Sequence, residues 1–269
     1  MSKRRIKDIQ MYYEQEGTGP DLVFISGLSV DHAMWDVSRF SDAFRVLTFD
    51  NRGVGQTDIP DGPYSLEMLA DDTIALCKDL GIEKAHFVGH SMGGHIAQII
   101  GAQYPEMVHS LTIACSEQQL STVSYLSTKV QVDLRQRNVP LLTLFECYLP
   151  LMFSLSFLED RMRLVKYIAK TLINPPPQSD KGYILQVEAL QKHDTRHLLA
   201  DIVSPTLIIG CTDDLLTPYK HSEYLRDHIA HAKLVTIPQC GHLPFVEQPD
   251  LFFTAIRSFL ESHPQNISI

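Results

Sequence analysis

A serine between two glycines is the first feature of this sequence that could do chemistry. Ser91 lies at the centre of the stretch GHSMG, which Gly89 and Gly93 bound. Such a pattern also occurs by chance as a glycine-rich turn with a structural serine. Here an apolar run at 85–89 predicts a buried strand before it, and 95–104 predicts a helix after it. This strand-to-helix context is the one in which a serine serves as a nucleophile.

The residues around Ser91 also predict an oxyanion hole built from backbone N–H groups. The helix that follows directs its first N–H groups toward any oxyanion formed at the serine, and Met92 supplies the first of them. The second donor should come from the loop after an early strand, in FISGLSVDHAMW. There Gly27 allows a tight turn, and the N–H of Leu28 is the expected donor.

A serine hydroxyl needs a base, and His242 is the candidate among twelve histidines. It lies in PQCGHLPFVEQP, between the last predicted strand and the last predicted helix. Loops at the carboxyl ends of strands are where ligand chemistry collects in open α/β sheets. His90, next to the serine, is expected to point the other way and to pack or support the site.

The base needs an acid, and LIIGCTDDLLTP offers two neighbouring aspartates after a buried strand. Counting three residues forward from Gly210 selects Asp213, whereas counting four back from Pro218 selects Asp214. Asp213 is preferred, because a loop absorbs an extra residue more easily than the strand before it. Glu117, after the run SLTIACS, is a third and weaker candidate.

Short apolar runs alternate with helical segments along most of the chain. Six runs read as buried strands: DLVFISG, FRVLTFDN, AHFVGHS, SLTIACS, PTLIIGC and AKLVTIP. They are continuous rather than alternating, which is typical of a parallel sheet covered on both faces. The alternation predicts an α/β fold with a doubly wound, mostly parallel sheet.

One long segment has no good strand pattern. Residues 118–201 hold helical patterns, the apolar run at 139–158 and the loop NPPPQSD at 174–180. This predicts a core formed by 1–117 and 202–269, with a helical cap inserted at 118–201. Prolines and Glu146 argue against a membrane-spanning helix at 139–158, so no integral membrane segment is expected.

The charge, the N-terminal residues and the cysteines indicate which partners, compartment and cofactors to expect. The formal net charge of −9 argues against a nucleic-acid partner, which would need a basic surface. The basic start lacks an apolar run behind it, so we expect no signal peptide and a cytoplasmic location. Five irregularly spaced cysteines fit reduced, mostly buried thiols, and no pair has metal-ligand spacing. We therefore expect neither a metal nor an organic cofactor.

Taken together, these stretches resemble the α/β-hydrolase superfamily, and within it esterases and lactonases similar to 3-oxoadipate enol-lactonase. Five of them carry the resemblance, from about Leu22 to Leu260: SGLSVDHAMW, FDNRGVGQTDIPDGPYSLEMLADD, VGHSMGG, GCTDDLLTP and GHLPFVEQP. It implies an eight-stranded sheet, a cap of four helices, and a triad of Ser91, Asp213 and His242. It also implies an oxyanion hole at Leu28 and Met92. Many members have His-Gly where this chain has Ser26-Gly27, which leaves the backbone donor intact.

Two classes of function fit these residues. The first is a serine hydrolase acting on a small, fairly apolar carboxylic ester or lactone through an acyl-enzyme. The second is a ligand-sensing protein that keeps the triad but turns over slowly, since a fold and site do not fix function. Acyl transfer to another acceptor, or perhydrolysis, would use the same acyl-enzyme. The rate of turnover distinguishes a hydrolase from a sensor.

Overall fold

A single mixed sheet forms the centre of the molecule. The computed structural model describes residues 2–173 and 179–264, and eight strands lie within them. They are β1 (Ser2–Ile6), β2 (Ile9–Glu16), β3 (Asp21–Ile25), β4 (Arg45–Phe49), β5 (Ala85–His90), β6 (Val108–Ala114), β7 (Thr206–Cys211) and β8 (Lys233–Ile237). Their order across the sheet is β1-β2-β4-β3-β5-β6-β7-β8. The pairs β1–β2 and β2–β4 are antiparallel, and all others are parallel.

All six apolar runs form strands, β3 to β8, which confirms the doubly wound, mostly parallel sheet. The prediction that all six are buried is wrong for β8, which lies at the edge of the sheet with only Ile237 buried. The hairpin of β1 and β2 has no such run in the sequence. The first four residues of β1 are exposed and only Ile6 is buried. In β2 the first half is mostly buried and the last three residues are exposed, so neither strand of the hairpin has the continuous apolar pattern of a strand covered on both faces.

Helices cover both faces of the sheet. They are α1 (Leu66–Asp79), α2 (Met92–Gln103), α3 (Thr122–Gln136), α4 (Leu141–Met152), α5 (Leu155–Glu159), α6 (Arg161–Ile173), α7 (Asp180–Gln191), α8 (Lys220–His228), α9 (Pro244–Glu247) and α10 (Pro249–Glu261). Alternate residues of β3 enter different apolar clusters, because successive side chains of a strand point to opposite faces. Val23 and Ile25 pack with α1, α2 and α8, whereas Leu22 and Phe24 pack with α10.

Five helices, α3 to α7, lie between β6 and β7 in the described residues. We call them the inserted helices. The resemblance implies four, and the additional helix is α5, which is only five residues long. It forms because the Ser154 side chain accepts a hydrogen bond from the N–H of Phe157. Of the loop predicted at 174–180, residues 174–178 lie outside the described residues. The division into core and cap stays a prediction.

The apolar run at 139–158 forms α4, α5 and the turn between them. Leu149, Phe153 and Phe157 are buried in a cluster with Leu243, so this part of the run packs toward the loop after β8. Within 2–173 and 179–264, no helix combines the length and apolar character needed to cross a membrane.

The cysteines have the predicted distribution. Four of the five are buried, Cys147 is exposed, and all five are free thiols. The Sγ atoms of Cys115 and Cys211 lie 3.6 Å apart in the core beside the sheet. Burial raises the pKa of the Cys77 thiol to about 12, so this group packs as a small apolar side chain.

A buried arginine fixes the glycine-rich loop after β4. Arg52 is 3% exposed, and its Nε lies 2.8 Å from a carboxylate oxygen of Asp72, which is also buried. Its terminal nitrogens lie 2.9 and 2.7 Å from the carboxylate of Asp8, and this pairing lowers the pKa of Asp8 to about 2. The side chain of Gln186, in α7, donates to the Arg52 carbonyl at 2.8 Å.

Arg52→Met is expected to lower the free energy of unfolding by about 3–5 kcal/mol, because Asp72 would remain buried without its partner. Chemical denaturation measures this loss. Lys129→Met is the control, since it removes an exposed pair with Asp133 and should cost no more than about 0.5 kcal/mol. The double variant Arg52→Met/Asp72→Leu should recover part of the loss. Equal effects of the two single substitutions would contradict this account of Arg52.

Candidate active site

Ser91 stands on a strained turn between β5 and α2. Its φ and ψ angles are 54° and −120°, a region that non-glycine residues rarely occupy. A Cβ atom at Gly89 would lie 2.1 Å from the carbonyl oxygen of Gly93, and one at Gly93 would lie 2.0 Å from that of Ile25. Because these contacts are with backbone atoms, only glycine fits at either position. The two glycines are therefore what allows the backbone to make this turn.

His242 faces the serine. Its Nε2 lies 2.9 Å from Ser91 Oγ, and the residue is only 2% exposed. Its backbone is fixed at both ends. The His242 N–H donates to the carbonyl of Met152 at 2.8 Å, and Nε2 of His90 donates to the His242 carbonyl at 2.8 Å. His90 thus supports the base, and burial lowers the pKa of its ring to about 3, so it does so as a neutral group.

Asp214 is the carboxylate that contacts the base. Its Oδ2 lies 2.8 Å from Nδ1 of His242, and the residue is 3% exposed. The same carboxylate accepts hydrogen bonds from the N–H groups of Leu216 and Thr217, at 2.9 and 2.8 Å, and from the Thr217 hydroxyl at 2.7 Å. Four donors therefore fix its orientation toward the imidazole. Thr217 was not singled out by any sequence pattern.

The selection of Asp213 as the residue facing His242 is thereby corrected. Asp213 is partly exposed, and its carboxylate accepts a hydrogen bond from the Thr212 hydroxyl at 2.8 Å. The backbone explains the error. The N–H of Thr212 donates to the carbonyl of Ile237, and that of Asp213 to the carbonyl of Cys240. Thr212 and Asp213 thus form a turn whose N–H groups bond to the end of β8 and the loop after it, and the extra residue lies before the acid.

The two predicted oxyanion donors lie beside Ser91. Met92 opens α2, and the first helical hydrogen bond, at 2.8 Å, runs from the N–H of Gly94 to the Ser91 carbonyl. The Met92 N–H precedes this first bond in the helix, so it is not needed for the hydrogen bonds within α2. On the other side, a Cβ at Gly27 would lie 3.2 Å from Ser91 Cβ, and Leu28 follows it along the same cavity wall. This placement fits two backbone donors converging on one oxygen.

A cavity of about 1290 Å³ opens onto Ser91 and His242. The inserted helices supply much of its wall, which includes the apolar side chains of Leu144, Leu149, Phe153 and Phe157. This part of the wall is therefore apolar. The cavity wall also contains exposed cationic side chains of α6, namely Arg163, Lys166 and Lys170.

Glu247 links the inserted helices to the loop that holds the base. It is 7% exposed and accepts hydrogen bonds from the N–H of Gly241 at 2.9 Å and from the N–H and hydroxyl of Ser154. Gly241 precedes His242, and Ser154 begins α5. Sequence reasoning missed this role, because an acid in a polar stretch such as VEQPD gives no sign of burial.

The chain belongs to the α/β-hydrolase family. Residues 20–249 match the model of the family described as the alpha/beta hydrolase fold, which is well over half of the chain. The match includes Ser91, Asp214 and His242. The sheet order and the positions of these residues after β5, β7 and β8 agree with this assignment.

Three similar proteins span nearly the whole chain. BpoC of Mycobacterium tuberculosis, provisionally named a non-heme bromoperoxidase, is 31% identical over 260 residues, 94% of this chain and 98% of that one. The 3-oxoadipate enol-lactonase 1 of Acinetobacter baylyi is 30% identical over 264 residues, 97% and 96% of the two chains. The crystal structure of an enol-lactonase from Burkholderia xenovorans has a TM-score of 0.86 at 25% identity, covering 97% and 100%.

Proposed function

We propose that the protein is a serine hydrolase that cleaves a carboxylic ester or lactone through an acyl-enzyme on Ser91. The observation that carries this proposal is the continuous chain of contacts from Ser91 Oγ through His242 to Asp214, at 2.9 and 2.8 Å. It lies at the floor of a cavity large enough for a small substrate. The enol-lactonase relatives support the same reaction class.

Acylation begins with a proton transfer from Ser91 to His242. Because the Nδ1–H group donates a hydrogen bond to Asp214, the lone pair of the neutral imidazole lies on Nε2, which faces the serine hydroxyl. As Oγ bonds to the carbonyl carbon, its proton moves to Nε2, and Asp214 stabilises the imidazolium that forms. The carbonyl oxygen becomes an oxyanion, to which the N–H groups of Leu28 and Met92 donate.

Collapse of this intermediate breaks the bond between the carbonyl carbon and the leaving oxygen. The proton on His242 Nε2 passes to that oxygen, which leaves as an alcohol or, in a lactone, stays attached to the acyl group. Water then gives a proton to Nε2 as its oxygen attacks the acyl-enzyme. The acid is released, and Ser91 recovers its proton from His242.

A panel of methyl esters, ethyl thioesters and lactones of graded acyl length tests this proposal. The best member should turn over at about 1–10³ per second. The ratio kcat/KM should rise by about fourfold for each methylene that reaches the apolar wall, since each buried CH₂ contributes about 0.8 kcal/mol. Alcohols and hydrogen peroxide, added as competing acceptors, detect acyl transfer and perhydrolysis.

Saturable binding of panel members without turnover above about 10⁻² per second would contradict the proposal and indicate a ligand-sensing protein. His242→Ala is the control for each active substrate. This substitution removes the general base and should therefore abolish turnover. A substrate that is still hydrolysed by the variant is not hydrolysed at this site.

A further inference from the structure

A buried carboxyl group outside the chain of contacts at Ser91 also lines the cavity. Glu117 follows the end of β6 by three residues and is 1% exposed. Among the described residues, no donor reaches its Oε2. The nearest cationic or titratable nitrogen is Nε2 of His221, at 3.7 Å, which also lacks a hydrogen-bond partner. An unpaired buried carboxyl oxygen is costly, so a bound group that supplies a donor would relieve that cost.

The sheet order places Glu117 opposite the proposed oxyanion hole. The order β3-β5-β6 sets the loop after β3, with Leu28, on one side of Ser91, and the segment after β6 on the other. The Ser91 N–H donates to the carbonyl of Ala114 at 2.9 Å, so the end of β6 adjoins the serine directly. An ester that turns its carbonyl oxygen toward Leu28 and Met92 therefore extends its substituents on the side where Glu117 lies.

The charges around the cavity indicate which donor fits. Arg163, Lys166 and Lys170 of α6 line the cavity as well. Together with Arg39 and Arg135 they outnumber the lining carboxylates, which are those of Asp31, Asp36 and Glu117, and this excess of positive charge disfavours the entry of a substrate with an ammonium group. A neutral hydroxyl meets no such repulsion, and a carboxyl oxygen accepts its hydrogen bond in either protonation state.

We propose that Glu117 is a specificity-determining residue, which accepts a hydrogen bond from a hydroxyl group on the substrate. The favoured substrate is then a hydroxylated ester or lactone, with the hydroxyl on its acyl or its alcohol part. This inference rests on the proposed hydrolase function. Besides the N–H groups of Leu28 and Met92, Glu117 would then give the substrate a second polar contact.

The protonation of Glu117 should make the substrate preference depend on pH. Burial raises the pKa of its carboxyl group to about 7, and nearby hydroxyls of Ser124 and Ser121 act in the opposite direction. The other titratable groups that face this region are His221 from α8, His242 from the loop after β8, Asp214 from the loop after β7 and His95 from α2. An ionised carboxylate accepts a stronger hydrogen bond than a neutral carboxyl group. The preference for the hydroxylated substrate should therefore increase as pH rises from 6 to 8.

Matched pairs of substrates test the proposal. Methyl esters that carry a hydroxyl at successive acyl positions are compared with the same esters without it, and glycol monoesters are compared with propyl esters. Within each pair, an effect of pH on the acylation step itself is common to both substrates and cancels in the ratio of kcat/KM. Wild-type protein should prefer the hydroxylated member of at least one pair by about tenfold.

Two substitutions at Glu117 should separate recognition from folding. Glu117→Leu should remove the preference, so that kcat/KM becomes about equal for the two members of each pair. Glu117→Gln keeps an acceptor oxygen and should retain a smaller preference that no longer changes with pH. Glu146→Leu, which removes an exposed acid of α4, is the matched control and should change neither quantity.

A wild-type protein without preference in any pair would overturn the proposal, as would a preference that survives in Glu117→Leu. If Glu117→Leu does not fold, the pH profile of Glu117→Gln decides, and a profile that still rises with pH would overturn it. Failure of the hydrolase function itself would appear differently, as the absence of Ser91-dependent turnover on every ester.

Discussion

Ser91→Ala is expected to lower kcat on the best ester by about 10⁴- to 10⁶-fold. The substitution removes the oxygen that lies 2.9 Å from Nε2 of His242, so no acyl-enzyme can form at this position. What activity remains would come from water attacking a substrate held in the cavity, with the oxyanion donors intact. Initial rates at high enzyme concentration, with saturating substrate, measure the loss.

The fold should survive this substitution, because alanine has the same Cβ at the same strained backbone position. The melting temperature of Ser91→Ala should stay within about 3 °C of wild type. Ser38→Ala, which removes an exposed hydroxyl, is the matched control and should keep full activity. Full activity of Ser91→Ala, in a preparation free of wild-type protein, would show that the nucleophile is elsewhere.

Asp214→Asn is expected to lower kcat by about 10⁴-fold, whereas Asp213→Asn should change it less than about twofold. An amide at position 214 can donate to Nδ1 of His242. It would then favour the tautomer with its proton on Nε2, which cannot accept the proton of Ser91. Asp213 makes its contact with Thr212 instead, at 2.8 Å, on the outer side of the turn.

The same pair of variants compares two neighbouring aspartates in one turn, so each serves as the control for the other. Steady-state kinetics on the same ester give both values, and circular dichroism verifies that each variant is folded. A larger loss in Asp213→Asn than in Asp214→Asn would contradict the assignment of the acid. Equal losses would mean that the turn as a whole, rather than one carboxylate, supports His242.

The sequence predicts the sheet and two of the three residues in the chain of contacts for clear physical reasons. Parallel strands covered on both faces need continuous apolar runs, and such runs are visible without a structure. Ser91 is flanked by glycines that backbone contacts at 2.0 and 2.1 Å require. His242 follows the last strand and so lies at the carboxyl end of the parallel strands, where the functional loops of open α/β sheets lie. Each of these signals is local in the sequence.

The acid and the supporting contacts depend on features that are not local. Asp214 rather than Asp213 points inward because the turn of Thr212 and Asp213 bonds to the end of β8 and the loop after it, which the run GCTDD does not reveal. Glu247 is a buried acid to which no sequence pattern points, and the sequence offers Glu117 as a weaker candidate for the acid without revealing its burial. Their burial follows from the packing of the inserted helices and of the segment after β6. The hydrophobic periodicity of the sequence does not predict this packing.

Labelling with a fluorophosphonate, followed by peptide mapping by mass spectrometry, tests the central claim most directly. Such a reagent forms a stable bond only with an activated serine, so its position identifies the nucleophile. We expect one adduct per chain on Ser91, slower labelling in Asp214→Asn than in Asp213→Asn, and none in Ser91→Ala. An adduct on another residue, with Ser91 unmodified in the active protein, would contradict the account.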